Sequence, residues 1–336
     1  MPPKNTATAP RIDIRFARPD EAPRLVGLMR RQHGCLYPRE NYYDERFIAE
    51  AVAAEKLRFA VAVAGDGETA GMICAGVQSN NPPVLVFSLL TVLPAWRGQG
   101  LGSRMQDFLD TRLPLGRYAY TCMYCLALDT ASQHDSVKRG YVPTGLLPHR
   151  YFFDPAAANL EGEALPLKRS HLLLCKAFSR RDAGLLFCPD ELADFTTEVL
   201  RALGVGFSRG AAAARSSRLA GEPSVFRLVQ SEEHRYCEIW IERAGGDLPD
   251  LLRASRRYDA LPAQTYCVSL NMAHANCLGA YRVLREQGYV CTGLTPLAAG
   301  GAYLLFYRSP SVALDSGRLA LHPSFRALWE KIKDVA

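Results

Sequence analysis

Hydrophobic and polar positions alternate near the start of the chain and then recur at helical spacing. The segment 11–17 alternates as a half-buried strand does. Apolar residues at helical spacing predict a helix over 21–31, which Asp20 can cap, and a second helix over about 45–55. The other strands predicted in this part are apolar runs bounded by turn residues, at 57–65, 69–78 and 84–94.

A glycine-rich loop separates the last of these strands from a helix. It is Arg97-Gly98-Gln99-Gly100-Leu101-Gly102-Ser103. Three glycines within five residues let a ligand approach the backbone closely, and the N–H groups and dipole of a helix N-terminus favour a phosphate. The spacing matches neither GxxxxGK[ST] nor GxGxxG. The loop is therefore interpreted either as a phosphate-binding loop or as a turn that only packs.

Residues 90–109 resemble the core motif of the GNAT superfamily of acyl-CoA-dependent N-acyltransferases. That motif is (Arg/Gln)-x-x-Gly-x-(Gly/Ala) after a strand ending V-x-P, and here Arg97–Gly102 follows Val92-Leu93-Pro94. The predicted element order over 11–155 is similar to that of the family, and Gly140-Tyr141 resembles its common Gly-Phe. The resemblance implies an α/β (α+β) fold in which helices flank a mixed, mostly antiparallel sheet.

The resemblance also implies a co-substrate, acetyl-CoA or another acyl-CoA, and no metal. Backbone N–H groups of the loop would hold the CoA pyrophosphate. The preceding strand would pair with the pantetheine arm as an added strand does, and would splay from the strand at 118–128 to admit the thioester. The residues assigned to acyl-CoA binding are Leu90, Thr91, Val92, Arg97, Gly98, Gln99, Gly100, Leu101, Gly102 and Ser103.

Acid and base groups are expected because an attacking amine is mostly protonated at neutral pH and the leaving thiolate takes up a proton. Family members often carry a Glu on the splayed strand and a Tyr four residues before the Gly-Phe. This strand offers only Ser88 and Thr91 as polar residues, and Ser136 stands at the tyrosine position. The catalytic candidates are therefore Ser88, Tyr124, Asp129, His134 and Ser136.

Several of these candidates have structural alternatives. Asp129 can simply cap a helix, His134 can be a solvated helix residue, and Tyr124 can belong to the core. Cys122 or Cys125 is an alternative as an acyl-carrying nucleophile. The acceptor site is expected from the loop 33–46 and the strand pair near 145–152, with His33 and Glu40 also candidates for the base. Its candidates are His33, Tyr37, Glu40, Tyr42, Tyr43 and His149, beside Arg150 and Tyr151.

The second half of the chain partly repeats the first. The segment 140–148, GYVPTGLLP, is similar to 288–296, GYVCTGLTP, and each follows a helix preceded by an apolar strand. Such self-similarity indicates duplication. The second half lacks the glycine-rich loop, because Ala244-Gly245-Gly246-Asp247 does not have its spacing. We therefore expect two tandem GNAT-like domains, over 11–155 and 171–336, joined by a linker at 156–170, and the second should not bind CoA.

Local patterns predict the elements of this second half. They are a strand at 185–189, a helix over 190–203, a polar loop over 204–223, strands at 224–230, 236–245 and 264–273, a helix capped by Asn276 and a final helix over 322–335.

Composition excludes several classes of protein. The chain has 336 residues, 48% hydrophobic and 22% charged, which excludes disorder as a whole. Its net charge of +6 is scattered, so a nucleic-acid partner is not expected. No apolar run reaches the roughly 18 residues of a membrane span. The ten cysteines follow no signal peptide, which predicts reduced thiols and a cytoplasmic protein, and the pair Cys122-x-x-Cys125 lacks a second pair at zinc spacing.

The function favoured by these observations is acyl transfer from acetyl-CoA to a primary amine of a small molecule in a ternary complex. A protein amine is an alternative acceptor. Two further alternatives stay open: a CoA-binding regulatory or interaction protein without catalysis, and other chemistry on an acyl-CoA thioester. The sequence leaves the oligomeric state open.

Overall fold

The computed structural model describes residues 11–35, 37, 39–77, 84–153, 167–210, 219, 221–312, 314 and 319–333. These residues form helices and mostly antiparallel strands, so the predicted mixed α/β fold class is confirmed. They belong to two compact units that interleave in sequence. Unit 1 holds the described residues of 11–77 and 85–115, and unit 2 holds those of 116–153 and 167–333. The predicted domain ranges, 11–155 and 171–336, divide the chain differently and stay a prediction.

Unit 1 contains an antiparallel sheet in the order β1-β2-β3-β4. The helices α1 and α2 pack on it through apolar residues that include Leu28 and Ile48, both fully buried. The strands are β1 Ile12–Phe16, β2 Leu57–Ala64, β3 Thr69–Val77 and β4 Val84–Val92. The helices are α1 Ala22–His33, α2 Glu45–Ala53 and α3 Leu101–Arg112.

The start of α1 differs from the prediction. Its N-cap is Glu21, because Asp20 lies in a short 3-10 turn before the helix. The Glu21 carboxylate accepts hydrogen bonds from Arg15 at 2.6 and 2.7 Å and from the Arg18 backbone N–H at 2.9 Å. The hydrogen bond from Arg15 lowers the pKa of Glu21 to about 2. A buried ion pair therefore fixes α1 against β1.

Unit 2 contains an eight-stranded sheet in the order β5-β7-β6-β13-β14-β12-β11-β10, in which only the β11–β12 pair is parallel. These strands are β5 Tyr120–Leu126, β6 Val142–Phe153, β7 Leu167–Ala177, β10 Val225–Ser231, β11 Tyr236–Arg243, β12 Thr265–Asn271, β13 Val290–Pro296 and β14 Ala302–Arg308. Two more, β8 Arg181–Leu186 and β9 Val205–Arg209, pair in parallel. The helices are α4 Thr130–Lys138, α5 Ala193–Ala202, α6 Leu248–Ser255, α7 Cys277–Glu286 and α8 Pro323–Trp329.

Two groups of three strands in the unit 2 sheet have corresponding orders. The order β5-β7-β6 in one group is mirrored by β12-β14-β13 in the neighbouring group. Gly145 on β6 and Gly293 on β13 each follow a one-residue register shift, and each lies opposite a leucine of the next strand. These two glycines are also the pair at which β6 and β13 join. The predicted duplication stays a prediction.

Several local predictions for the second half are wrong. Residues 167–170 of the predicted linker begin β7, and β9 lies inside the predicted polar loop 204–223. The strand expected at 185–189 is β8, which ends at Leu186, and the final helix α8 ends at Trp329. β7 begins with the polar run 168–170, whose strand conformation depends on pairing with β6 rather than on its own composition.

Candidate functional site

The glycine-rich loop of unit 1 is open on the side where a ligand would approach. Gly98 and Gly100 have φ angles of 75° and 69°, in the left-handed region that favours glycine. A Cβ atom built on either residue has no atom within 4 Å. Gly100 is the N-cap of α3, so the unpaired N–H groups of the first helical turn follow the loop directly. This geometry suits an anion such as a pyrophosphate.

The residues around the loop divide into exposed and buried side chains. Arg97 is exposed and donates from Nε to the Val92 carbonyl at 3.0 Å. Leu90 is 47% exposed and would be 3.5 Å from a Cβ on Gly102. Thr91 and Leu101 are only 2% exposed, so their side chains belong to the core and only their backbones remain for a ligand. The assignment of residues 90–92 and 97–103 to acyl-CoA binding stays a prediction.

A β-bulge interrupts β4 just before these residues. The register with β3 shifts by one residue between the pairs Cys74–Ser88 and Met72–Thr91. Leu89 within the bulge has a φ of 57°, which costs energy for a leucine. Strained residues and bulges are common at functional sites. No pattern in the sequence indicated this bulge, because leucine is not typical of positive φ.

The structure brings most of the predicted acceptor residues of unit 1 together. The His33 and Tyr37 rings are 5.0 Å apart, the Tyr37 and Tyr42 rings are 5.9 Å apart, and the Tyr43 hydroxyl accepts from the Tyr37 N–H at 3.0 Å. Tyr42 is 2% exposed and belongs to the core, whereas Glu40 is exposed. Burial lowers the pKa of His33 to about 4, so its ring is neutral at neutral pH.

Three catalytic candidates of unit 2 have structural contacts. The Asp129 carboxylate caps α4 by accepting from the Ser132 N–H at 3.1 Å. Ser136 is 4% exposed, and its hydroxyl donates to the Ser132 carbonyl at 2.7 Å. His134 Nδ1 lies 2.7 Å from the Thr130 carbonyl, so this nitrogen carries the proton and donates it. These contacts agree with the structural alternatives, in which Asp129 caps a helix and His134 is a solvated helix residue.

The cysteines are free thiols, and nine of the ten are buried. Cys122 Sγ lies 3.2 Å from Cys175 Sγ, and this contact raises the pKa of Cys122. Burial raises the pKa of Cys125, so both thiols of the CxxC stay protonated and are poor nucleophiles. Cys35, directly after α1, is the exposed one.

A charged and aromatic cluster in unit 2 surrounds Arg150. The guanidinium donates from Nε to the Tyr236 hydroxyl and from Nη2 to Glu238, each at 3.1 Å. Its central carbon lies 4.9, 5.3 and 5.7 Å from the ring centres of Tyr151, Tyr236 and Tyr124. Burial raises the pKa of Tyr124, so its hydroxyl keeps its proton. We call Tyr124, Arg150, Tyr151, Tyr236 and Glu238 the Arg150 cluster.

Another β-bulge positions Arg150. The register of β6 with β7 shifts between Leu147 and Tyr151, and His149 within the bulge has a φ of 41°. His149 is held at three points. Its backbone N–H donates to Ser170 Oγ at 3.0 Å, its carbonyl accepts from Thr265 Oγ1 at 3.1 Å, and its Nδ1 lies 2.8 Å from the Tyr307 hydroxyl. Contacts from three neighbouring strands therefore maintain the strained bulge.

The sequence predictions missed Tyr236 and Glu238, which the second half contributes to the Arg150 cluster. Glu238 is 8% exposed and follows Cys237 in a strand that continues with Ile239, Trp240 and Ile241. A carboxylate flanked on both sides by apolar residues of a strand is a signal that could have found it, because a buried carboxylate needs a partner.

Lowering the pH from 7 to 5 is expected to destabilise the folded chain through two buried histidines, His171 and His234. Burial lowers the pKa of His171 to about 3 and that of His234 to about 4. Both rings are therefore neutral when folded but take up protons below about pH 6.5 when unfolded, so the free energy of unfolding falls as the pH falls. The loss is about 2 kcal/mol for each at pH 5, and it continues down to the folded pKa.

Denaturant unfolding at the two pH values, with His234→Asn beside the wild type, measures this effect. The asparagine oxygen can still accept from the Phe152 N–H, as His234 Nδ1 does at 3.2 Å. The variant should lose about 2 kcal/mol less than the wild type between pH 7 and 5. Equal losses would show that His234 is not the titrating group.

No described helix is both long enough and apolar enough to span a membrane. Within the same part of the chain, no group of three or more His, Cys, Asp or Glu side chains is arranged to hold a metal ion.

Comparisons with known proteins identify the domain that contains the glycine-rich loop. Residues 22–131 match the acetyltransferase (GNAT) family model. Similar solved structures include a GNAT acetyltransferase from Streptococcus pneumoniae, with 17% identity and a TM-score of 0.39 over 50% of this chain and 100% of that one. Another is yncA from Salmonella typhimurium, solved with its cofactor acetyl-CoA, with 16% identity and a TM-score of 0.40 over 50% and 95%. No curated protein sequence matches significantly.

Proposed function

We propose that this chain, which carries a GNAT acetyltransferase domain at residues 22–131, transfers an acyl group from an acyl-CoA to a primary amine of a small molecule. Acetyl-CoA is the simplest donor. The observation that carries the proposal is the loop 97–103 inside the matched residues. Its left-handed glycines, its open Cβ positions and the helix that starts at Leu101 form a backbone cradle suited to a pyrophosphate.

The proposed reaction is direct attack of the amine on the thioester carbonyl. A C–N bond forms and the C–S bond breaks. The amine loses a proton, and the departing thiolate of CoA takes one up. Backbone N–H groups of β4, where Leu89 forms the bulge, would stabilise the oxyanion.

Tyr124 is the catalytic candidate that we propose as the general acid. It lies on β5, and its hydroxyl is protonated at neutral pH, as a general acid requires. Ser136, at the family's usual tyrosine position, already donates its proton to a backbone carbonyl of its own helix. Ser88 and His134 stay candidates without an assigned step.

The test is amine-dependent release of the CoA thiol from acetyl-CoA, with the product identified by mass. The wild type should release CoA only when an acceptor is present, and the product should be the acceptor with one N–H hydrogen replaced by an acetyl group. Tyr124→Phe should lower kcat by about 100-fold or more while leaving acetyl-CoA binding intact, because only proton transfer is removed.

Other outcomes of this experiment support the alternatives. Binding of acetyl-CoA without release of CoA for any amine would favour a non-catalytic CoA-binding protein. Release of CoA with a product that lacks an acetylated amine would favour other thioester chemistry.

A further inference from the structure

One side of the Arg150 guanidinium has no hydrogen-bond partner among the described residues. Nε is bonded to Tyr236 and Nη2 to Glu238, whereas Nη1 donates to no described residue. The Arg150 side chain is only 14% exposed and the Glu238 side chain 11%. A guanidinium that is held in place on one side and unoccupied on the other is oriented before a ligand arrives.

A second basic group, Lys168, lies in the same unit. It is half-buried, and burial lowers its pKa to about 7, so it carries part of a positive charge at neutral pH. Its Nζ donates to the Arg235 carbonyl, the Ala263 carbonyl and Thr265 Oγ1 at 3.1, 3.1 and 2.6 Å. These three bonds occupy its donors, so Lys168 contributes positive potential but no free N–H group. Burial lowers the pKa of the neighbouring His149 to about 4, which leaves that ring neutral.

We propose that the Arg150 cluster binds a carboxylate of the acceptor, so that the acylated amine is an amino acid or another amine bearing a carboxylate. The inference rests on the proposed function, because it names the substrate class of that acceptor site. Arg150 is paired with Glu238 on one side only, and Lys168 adds positive potential in the same unit. A carboxylate is attracted by this potential, and its planar geometry fits the remaining side of a guanidinium.

The aromatic side chains of the cluster strengthen this recognition. Three tyrosine rings surround the guanidinium and shield it from water, which increases the strength of a charge-assisted hydrogen bond. Tyr124, the proposed general acid, is one of these rings. A carboxylate bound to Arg150 therefore orients the acceptor next to the residue that takes part in the reaction.

The first experiment compares acceptors in pairs that differ only by the carboxylate: L-phenylalanine with phenethylamine, L-lysine with cadaverine, and β-alanine with ethylamine. O-phosphoethanolamine, which bears a phosphate instead, is a further probe. The carboxylated member should have a kcat/KM about tenfold higher or more in at least one pair. Equal or better rates for every member that lacks the carboxylate, or a preference for O-phosphoethanolamine, would overturn the proposal.

Variants of Arg150 connect the preference to this residue. Arg150→Lys keeps the positive charge but loses the planar two-pronged donor group. It should remove most of the preference by raising KM for the carboxylated amine more than for its decarboxylated counterpart. The double variant Arg150→Met with Glu238→Leu removes both charges, leaves neither buried alone, and should abolish the preference. A preference that survives both variants would overturn the proposal.

Arg308→Lys is the matched control. Arg308 also pairs with a carboxylate, Asp259, at 3.1 Å from both Nη atoms, and its guanidinium carbon lies 5.7 Å from the Tyr266 ring centre. The control should retain the full preference. An equal loss in Arg308→Lys would assign the effect of Arg150→Lys to general destabilisation.

A binding measurement separates failure of this proposal from failure of the proposed function. The carboxylated probes should raise the thermal midpoint of the wild type, and of Gly100→Trp in which the CoA loop is filled, but not of Arg150→Lys. Absence of acetyl-CoA binding overturns the proposed function alone. Absence of a carboxylate-dependent shift at Arg150, with acetyl-CoA bound normally, overturns the carboxylate site alone.

Discussion

A Gly100→Trp variant is expected to lose the stabilisation that acyl-CoA gives to the wild type. A ligand at 100 times its Kd that binds only the folded state stabilises it by about 2.7 kcal/mol. The tryptophan side chain would extend into the open space above the loop, where a Cβ on Gly100 meets no atom within 4 Å. The fold should persist, because the added Cβ atom displaces no atom of the protein. Thermal midpoints with acetyl-CoA, free CoA and longer acyl-CoAs measure the effect.

Gly67→Trp is the control for backbone strain. Gly67 lies in the β2–β3 hairpin of the same unit, has a φ of 87°, and also has open space around its Cβ position. Both variants place a side chain at positive φ, at a cost of about 1–2 kcal/mol. Only Gly100→Trp should abolish the acyl-CoA shift. A full shift in that variant would contradict the assignment of the loop to CoA.

Gly293→Ala is expected to lower the free energy of unfolding of unit 2 by about 4 kcal/mol or more. A loss of this size is expected because the added Cβ atom would collide with backbone atoms. A Cβ on Gly293 would lie 2.2 Å from the Gly145 Cα and 2.6 Å from the Thr144 carbonyl oxygen. Both are backbone atoms, so no side chain can rotate away. Relief of the clash requires β6 and β13 to separate at the residue pair where they join. Urea unfolding monitored by tryptophan fluorescence measures the loss.

Gly204→Ala provides the comparison for this prediction. Gly204 also belongs to unit 2 and has a φ of 72°, but a Cβ there meets no atom within 4 Å. It should cost only the strain of positive φ, about 1–2 kcal/mol. Similar losses of unfolding free energy in the two variants would mean that β6 and β13 can separate at this residue pair at little cost.

The features predicted correctly from sequence are those with a local signal. The spacing of Gly98, Gly100 and Gly102 indicated a loop before a helix, and the structure places α3 directly after Gly100. Helical spacing indicated α2 and alternation indicated β1, whereas β2, β3 and β4 were found as apolar runs bounded by turn residues. Asp129 was identified as an alternative cap, since capping depends on residues three positions away.

The features that were missed depend on contacts between distant residues. Arg150 and Glu238 are 88 positions apart in the chain, and only the pairing of strands across unit 2 brings them together. The bulges at Leu89 and His149 arise because tertiary contacts compensate for a strained φ that the residue type disfavours. Ser136 was chosen by its position in a family pattern, which does not reveal that its hydroxyl is already bonded within α4.

The exposure of Cys35 makes the chain suitable for site-specific labelling without engineering. The nine other thiols are buried in the folded chain, so a maleimide fluorophore should react at one position only. That position follows α1 directly and lies two residues before Tyr37, whose ring contacts His33. Fluorescence from the wild-type protein would therefore report on rearrangement of this aromatic group when candidate acceptors are added.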